Sequence, residues 1–127
     1  MGKKDINIMI TLEYTDIFDE HLTKELIFSK HLIKNDFNEK SLFALIVDGK
    51  SMQPVINDRA VIVADLSLKE LVNEKIYLVY YEEKMWVKKY NSKSQIFVSI
   101  NPDFSHLVYK KDDIHLVAQV LLTFTNL

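Results

Sequence analysis

The sequence predicts a mostly β domain with a curled, partly closed sheet and one or two short helices. Beyond Ser41, short segments rich in Val, Ile, Tyr and Phe alternate with polar turns, which is typical of antiparallel strands. Apolar residues make up 48% of the 127 residues, enough for one hydrophobic core. We therefore divide the chain into an N-terminal arm (residues 1–40) and a folded domain (residues 41–127).

The arm carries little predicted structure. Residues 8–12 can form a short strand. Between about residues 19 and 34, Leu22, Leu26 and Ile33 fall on one helical face, acidic residues precede them and a lysine ends the segment. This pattern predicts one helix, whereas a helix-turn-helix DNA reader needs two.

Six strands are predicted in the domain. Residues 82–84 form a tight hairpin, and further turns are expected at residues 91–94 and 101–103. The predicted strands span residues 42–47, 60–64, 76–81, 85–90, 96–100 and 115–124.

The composition argues against several classes of function. The net charge is -2 and Arg59 is the only arginine, so we do not expect this chain to hold DNA by itself. It has no cysteine, and its four histidines show no metal-binding spacing, so no metal and no cofactor are expected. The longest apolar run, residues 42–47, is too short to cross a bilayer, and no signal peptide is visible. We expect a soluble, cytoplasmic protein that does not associate with membranes.

Ser51 and Lys88 are the candidate catalytic pair. A serine hydroxyl is a weak nucleophile unless a base takes its proton, and a lysine can be that base only when it is neutral. Burial among apolar groups favours the neutral amine. On a strand, Lys88 shares a face with Trp86 and Tyr90, so it is a better candidate than Lys89. A plain turn and a lysine-bearing edge strand remain the alternative interpretation.

Gly49 precedes the serine by two residues in a chain that has only two glycines. A glycine retained at such a place indicates a backbone need, either a positive φ or a close approach.

Several motifs in order resemble the LexA-like family of self-cleaving repressors, which includes phage CI-like repressors and is related to UmuD. Residues 45–58 resemble the family's strand, Gly, Ser-Met, Pro and acidic turn, and residues 60–65 resemble the strand that follows. Residues 87–90 are similar to the Val-Lys strand. Residues 100–104 and 117–120 resemble the Asn-Pro turn and the last strand. The resemblance covers about residues 41–122.

The resemblance implies a fold of the LexA C-terminal type and a role for each site residue. Ser51 would be the nucleophile and Lys88 the general base. Backbone N–H groups of the turn that contains Gly49, Lys50 and Met52 would stabilise the oxyanion, while the Met52 side chain packs beneath the turn.

The resemblance also implies partners. The family dimerises through this domain and cleaves itself in a loop N-terminal to it, in response to the recombinase filament that marks DNA damage. A homodimer is therefore expected, with a recombinase filament as a co-protease. DNA would be bound only through a helix-turn-helix domain absent from these residues, and we expect the coding segment upstream to encode it.

Two departures from the family pattern leave the substrate open. The family's scissile bond is usually Ala-Gly or Cys-Gly, but residues 11–20, where a cleavage loop is expected, are bulky or acidic and contain no glycine. The usual Asp-Gly-Asp is replaced by Asp58-Arg59-Ala60. We favour a regulatory and dimerisation domain of a LexA/CI-like repressor. The alternatives are a UmuD-like accessory subunit of a lesion-bypass DNA polymerase and a serine peptidase that cuts another bond, in cis or in trans.

Overall fold

The structure is a computed structural model and describes residues 8–127. Across this part of the chain, nine strands form a two-stranded and a seven-stranded antiparallel sheet. The strands are β1 (Met9–Asp16), β2 (Leu22–Ser29), β3 (Leu42–Ile46), β4 (Val61–Asp65), β5 (Ile76–Tyr81), β6 (Lys84–Asn91), β7 (Ile96–Val98), β8 (Tyr109–Lys110) and β9 (His115–Phe124). Short 3-10 helices span Lys30–Leu32, Glu39–Ser41, Pro102–Phe104 and Lys111–Asp113.

The prediction of a mostly β domain is confirmed. The six predicted strands correspond to β3, β4, β5, β6, β7 and β9, with ends that differ by at most two residues. Glu82 and Glu83 connect β5 to β6 and both have positive φ, which is the geometry of a tight two-residue hairpin. The two-residue strand β8 was not predicted because so short a segment carries no readable alternation.

The predicted helix at residues 19–34 is wrong. In its place β2 pairs with β1 along its whole length. The side chains of Leu26 and Phe28 lie on the more buried face of β2. The centre of the Phe28 ring lies 5.9 Å from that of the Phe124 ring. The spacing of the apolar residues in this segment fits both the 3.6-residue period of a helix and the two-residue period of a strand. Burial of alternate residues against the larger sheet favours the strand.

The hairpin formed by β1 and β2 packs against the main sheet. Ile10, Phe28 and Ile33 form one buried cluster with Leu42 of β3 and Val63 of β4. The boundary proposed at residue 40 stays a prediction. The buried cluster includes residues from both sides of it.

The main sheet has the strand order β3-β4-β9-β5-β6-β7-β8 and curls. Strand β9 carries one extra residue opposite β4, at Leu121, and another opposite β5, at Val117. Such bulges increase the local twist of a sheet. The curl brings the end of β3 towards β6, although three strands separate them in the sheet, and the candidate site lies between them. Within residues 8–127, no helix has the length and apolar character needed to span a lipid bilayer.

Candidate active site

The serine turn, residues 47–56, begins where β3 ends. The Val47 amide donates to the carbonyl oxygen of Ala60 at 2.8 Å, and the Arg59 amide donates back to Val47 at 2.8 Å. The Gly49 amide donates to Asp58 Oδ1 at 2.8 Å. These bonds join Val47 and Gly49, at the start of the loop, to residues 58–60 at its end, and Ser51 lies in the loop between them.

Gly49 has a φ of 130°, which confirms the expected backbone need. A side chain at this position would meet open space, so the restriction lies in the backbone angle and not in a collision. The Gly49 N–H is already bonded to Asp58, so its contribution is to the shape of the turn.

Asn101 holds the serine turn from the opposite side. Its backbone amide donates to the carbonyl oxygen of Ser51 at 2.9 Å, and its Nδ2 donates to the carbonyl oxygen of Lys50 at 2.9 Å. Its Oδ1 accepts from the Asp103 amide, which starts the short helix Pro102–Phe104. The Asn-Pro motif was noticed in the sequence, but its contact with Ser51 depends on the fold and was not predicted.

Lys88 reaches the serine from the middle of β6. Its Nζ lies 3.0 Å from Ser51 Oγ, so the structure brings the two predicted residues within hydrogen-bonding distance. The Lys88 side chain is fully buried, at 0% exposure, whereas Lys89 keeps part of its surface. Tyr90 on the same face as Lys88 is also buried.

The surroundings of Lys88 favour the neutral amine. Burial lowers the pKa of Lys88 from its ordinary value of 10.5 to about 8. The Nζ atom also lies 5.0 Å from the centre of the Trp86 ring, a contact that stabilises an ammonium and so opposes this shift. The loss of hydration is the larger effect. With a pKa of about 8, roughly a tenth of the amine is neutral at pH 7 and half at pH 8.

Ser99 is a site residue that sequence reasoning missed. Its Oγ lies 3.0 Å from Lys88 Nζ, the same distance as Ser51 Oγ. Lys89 pairs with Val98 across β6 and β7, and continuing this register by one residue places Ser99 opposite Lys88. The signal in the sequence was therefore the length of the turn between β6 and β7, which sets the register.

A cleft of about 280 Å³ opens beside Ser51, which lies in its wall. Its volume is close to the lower end of ligand pockets in proteins. Lys88 lies behind the serine and is not one of the wall residues. The apolar part of the wall comes from Leu45, Ile46, Val47, Met52, Leu78, Met85, Trp86, Val87, Phe104 and Leu107.

The expected cleavage stretch, residues 11–20, lies outside this cleft. Its residues belong to β1 and the following turn, and no residue between 8 and 41 lines the cleft. Beyond the tip of β1, the Phe18 ring lies 4.4 Å from the Arg59 guanidinium. Arg59 itself has a φ of 68°, at the position where the family pattern has glycine. The turn of the hairpin thus contacts Arg59, whereas no described residue of the hairpin lines the cleft.

The N–H groups next to Ser51 are candidates for binding an oxyanion. Within the described part of the chain, the amides of Lys50, Ser51 and Met52 donate no hydrogen bond. The Met52 side chain is 2% exposed and packs in the core under the turn, as predicted. The backbone of the serine turn therefore has N–H groups that are free to bind an oxyanion, and the Met52 side chain anchors the turn in the core.

Comparison with known proteins agrees with this geometry. The sequence model of the family described as Peptidase S24-like matches residues 7–121, which is nearly the whole chain. A search of curated proteins gave no match. The matched region includes the serine turn with Ser51, strand β6 with Lys88, and Ser99 after β7. The chain belongs to the Peptidase S24-like family, the family of the C-terminal peptidase domains of LexA, UmuD and the phage CI repressors.

Proposed function

We propose that this chain is a serine peptidase domain with Ser51 as nucleophile and Lys88 as general base. The observation that carries the proposal is a fully buried amine 3.0 Å from a serine hydroxyl that opens onto a cleft. A surface lysine near a serine would be charged and hydrated and could not accept a proton.

The reaction follows from the positions of these groups. The neutral Lys88 amine takes the proton of Ser51 Oγ while Oγ forms a bond to the carbonyl carbon of the substrate. Backbone N–H groups of the serine turn bind the resulting oxyanion. The C–N bond then breaks, and the Lys88 ammonium gives its proton to the departing amine. A water molecule, deprotonated by Lys88, hydrolyses the ester, which releases a carboxylic acid and restores the Ser51 hydroxyl.

The substrate bond lies outside the hairpin. Residues 11–20 are engaged in β1 and its turn and do not enter the cleft. The sequence there offers no small residue pair of the kind that the family usually cuts. The cleft therefore receives another peptide segment, in cis or in trans.

In the cell, the domain would serve as the regulatory and dimerisation part of a LexA/CI-like repressor, in the cytoplasm. Family membership supports this role. DNA would be contacted through a helix-turn-helix segment, and a recombinase filament would promote cleavage. The alternative is a UmuD-like polymerase subunit, and specific binding of the full-length gene product to operator DNA separates the two.

The peptidase activity is tested with peptides of mixed sequence, some with Ala-Gly bonds, incubated with the protein at pH 9 and analysed by mass spectrometry for new ends. We expect wild-type protein to form products, and Ser51→Ala and Lys88→Met to lose at least about 100-fold in rate. Lys89→Met is the matched control on the same strand and should keep most of the activity. Equal product from all four proteins would reject the dyad.

A further inference from the structure

We propose that Ser99 is a positioning residue that orients the Lys88 amine towards Ser51. This inference rests on the proposed function and extends it from a pair of residues to three. It starts from the second hydrogen bond of Lys88, which joins Nζ to Ser99 Oγ at 3.0 Å.

The burial of Lys88 makes this bond important. The side chain has no exposed surface, so its hydrogen-bonding groups must find partners inside the protein. Among the described residues, the hydroxyls of Ser51 and Ser99 are its only hydrogen-bond partners. Ser51 has to release its proton and bond to the substrate, which leaves Ser99 as the constant partner.

A neutral amine has two N–H groups and one lone pair. If one N–H donates to Ser99 Oγ, rotation about the Cε–Nζ bond is restricted and the lone pair can face the Ser51 hydroxyl. When Lys88 has taken the proton, Ser99 Oγ accepts a hydrogen bond from the ammonium. A hydrogen bond to a charged group is stronger than one to its neutral form, so Ser99 compensates part of the hydration that the ammonium has lost.

Other groups around Lys88 do not take this role. Tyr77 of β5 pairs with Lys88 across the sheet, and burial raises the pKa of its phenol, which therefore stays neutral. Asp48 and Lys50 lie in the cleft wall on the serine turn, and Lys89 is the neighbour on β6. No charged side chain contributes to the lowered pKa of Lys88, which follows from burial alone.

Replacing Ser99 should therefore change two properties together. In Ser99→Ala the ammonium loses its acceptor, so the pKa of Lys88 should fall by about half a unit or more below that of wild type. The lone pair also loses its orientation, so the maximal cleavage rate should fall by about 10- to 100-fold. A side chain that only fills space would lower the rate without moving the pKa.

The experiment compares wild type, Ser99→Ala, Ser99→Thr and the exposed-turn control Ser94→Ala. Each is titrated by NMR through the Lys88 ε-methylene signal, and its cleavage rate is measured from pH 6 to 10. The proposal expects a lower midpoint and a lower plateau for Ser99→Ala, and a midpoint near that of wild type for Ser99→Thr and Ser94→Ala. An unchanged Lys88 midpoint in Ser99→Ala would overturn it.

The two readouts separate this inference from the proposed function. If wild-type protein cleaves no peptide, the peptidase proposal fails, but the NMR titration still decides whether Ser99 acts on the amine. If cleavage occurs and the midpoint does not move, the dyad stands and the role of Ser99 is rejected.

Discussion

At the scale of single residues, the burial of Lys88 lowers the stability of the folded protein and also favours the neutral amine that the proposed reaction needs. An ammonium in an apolar site is destabilising, and the same burial lowers the pKa of Lys88 to about 8. The folded protein therefore holds the proton less tightly than the unfolded chain, in which a lysine has a pKa of about 10.4. Lys88 should therefore contribute to the pH dependence of the protein's stability.

Lys88→Met should stabilise the protein at pH 7, by about 1–3 kcal/mol, because it removes a buried charge and keeps most of the length of the side chain. Below pH 8 both states of the wild type are protonated and the whole cost is present. Between pH 8 and about 10.4 the folded state has lost the proton and the unfolded state has not, so wild type gains stability relative to the variant.

Urea unfolding of wild type and Lys88→Met at pH 7 and pH 10 measures this effect. The difference in free energy of unfolding should be smaller at pH 10. Lys89→Met controls for the general effect of removing a lysine from β6. A difference that stays constant between the two pH values would show that Lys88 is not perturbed.

The candidate site was readable from the sequence only in part. Ser51 and Lys88 were identified because a motif and strand alternation mark them, and Gly49 because glycine is rare in this chain. Ser99 was missed, and Asn101 was noticed only as part of the Asn-Pro motif, since their contacts depend on strand register and on how the segment after β7 folds back. Local patterns do not contain this information.

At the scale of elements, Asp65 at the end of β4 joins three segments. Its carboxylate is fully buried and accepts from the Asn38 amide at 2.9 Å, the Ser67 amide at 2.8 Å and Ser67 Oγ at 2.7 Å. These bonds fix the chain before β3 and the start of the loop that leads to β5. The carboxylate thereby connects the hairpin side of the molecule to the main sheet.

Asp65→Ala should lower the free energy of unfolding by about 2–4 kcal/mol, because the donors around it are left without a partner in a buried place. Asp103→Ala, at an exposed position, should change it by less than about 1 kcal/mol. Both are measured by urea unfolding at pH 7. A loss for Asp65→Ala no larger than that of the control would contradict the role given to this carboxylate.

The elements also differ in how far the sequence determines them. The strands of the main sheet are β-branched and aromatic along most of their length, and their positions were predicted closely. Residues 22–29 carry apolar side chains that suit a helix as well as a strand. Pairing with β1 and packing against Val63 and its neighbours decide between the two, and neither is visible in a local pattern.

At the scale of the whole molecule, the curled sheet brings together Ser51 and Lys88, the proposed nucleophile and base, from strands that are not neighbours. The serine turn follows β3 at one edge of the sheet, and Lys88 lies on the fifth strand in the order. Because the sheet curls, Lys88 Nζ lies 3.0 Å from Ser51 Oγ, within hydrogen-bonding distance. The β1–β2 hairpin packs elsewhere, which leaves the cleft beside Ser51 open.

The central claim is that a neutral Lys88 activates Ser51. A fluorophosphonate probe tests it without knowledge of the substrate, because it reacts with an activated serine and marks that residue for mass spectrometry. We expect labelling at Ser51, with a rate that rises through a midpoint near pH 8 and is abolished in Lys88→Met. No labelling of Ser51 in wild type, or the same rate in Lys88→Met, would contradict the claim.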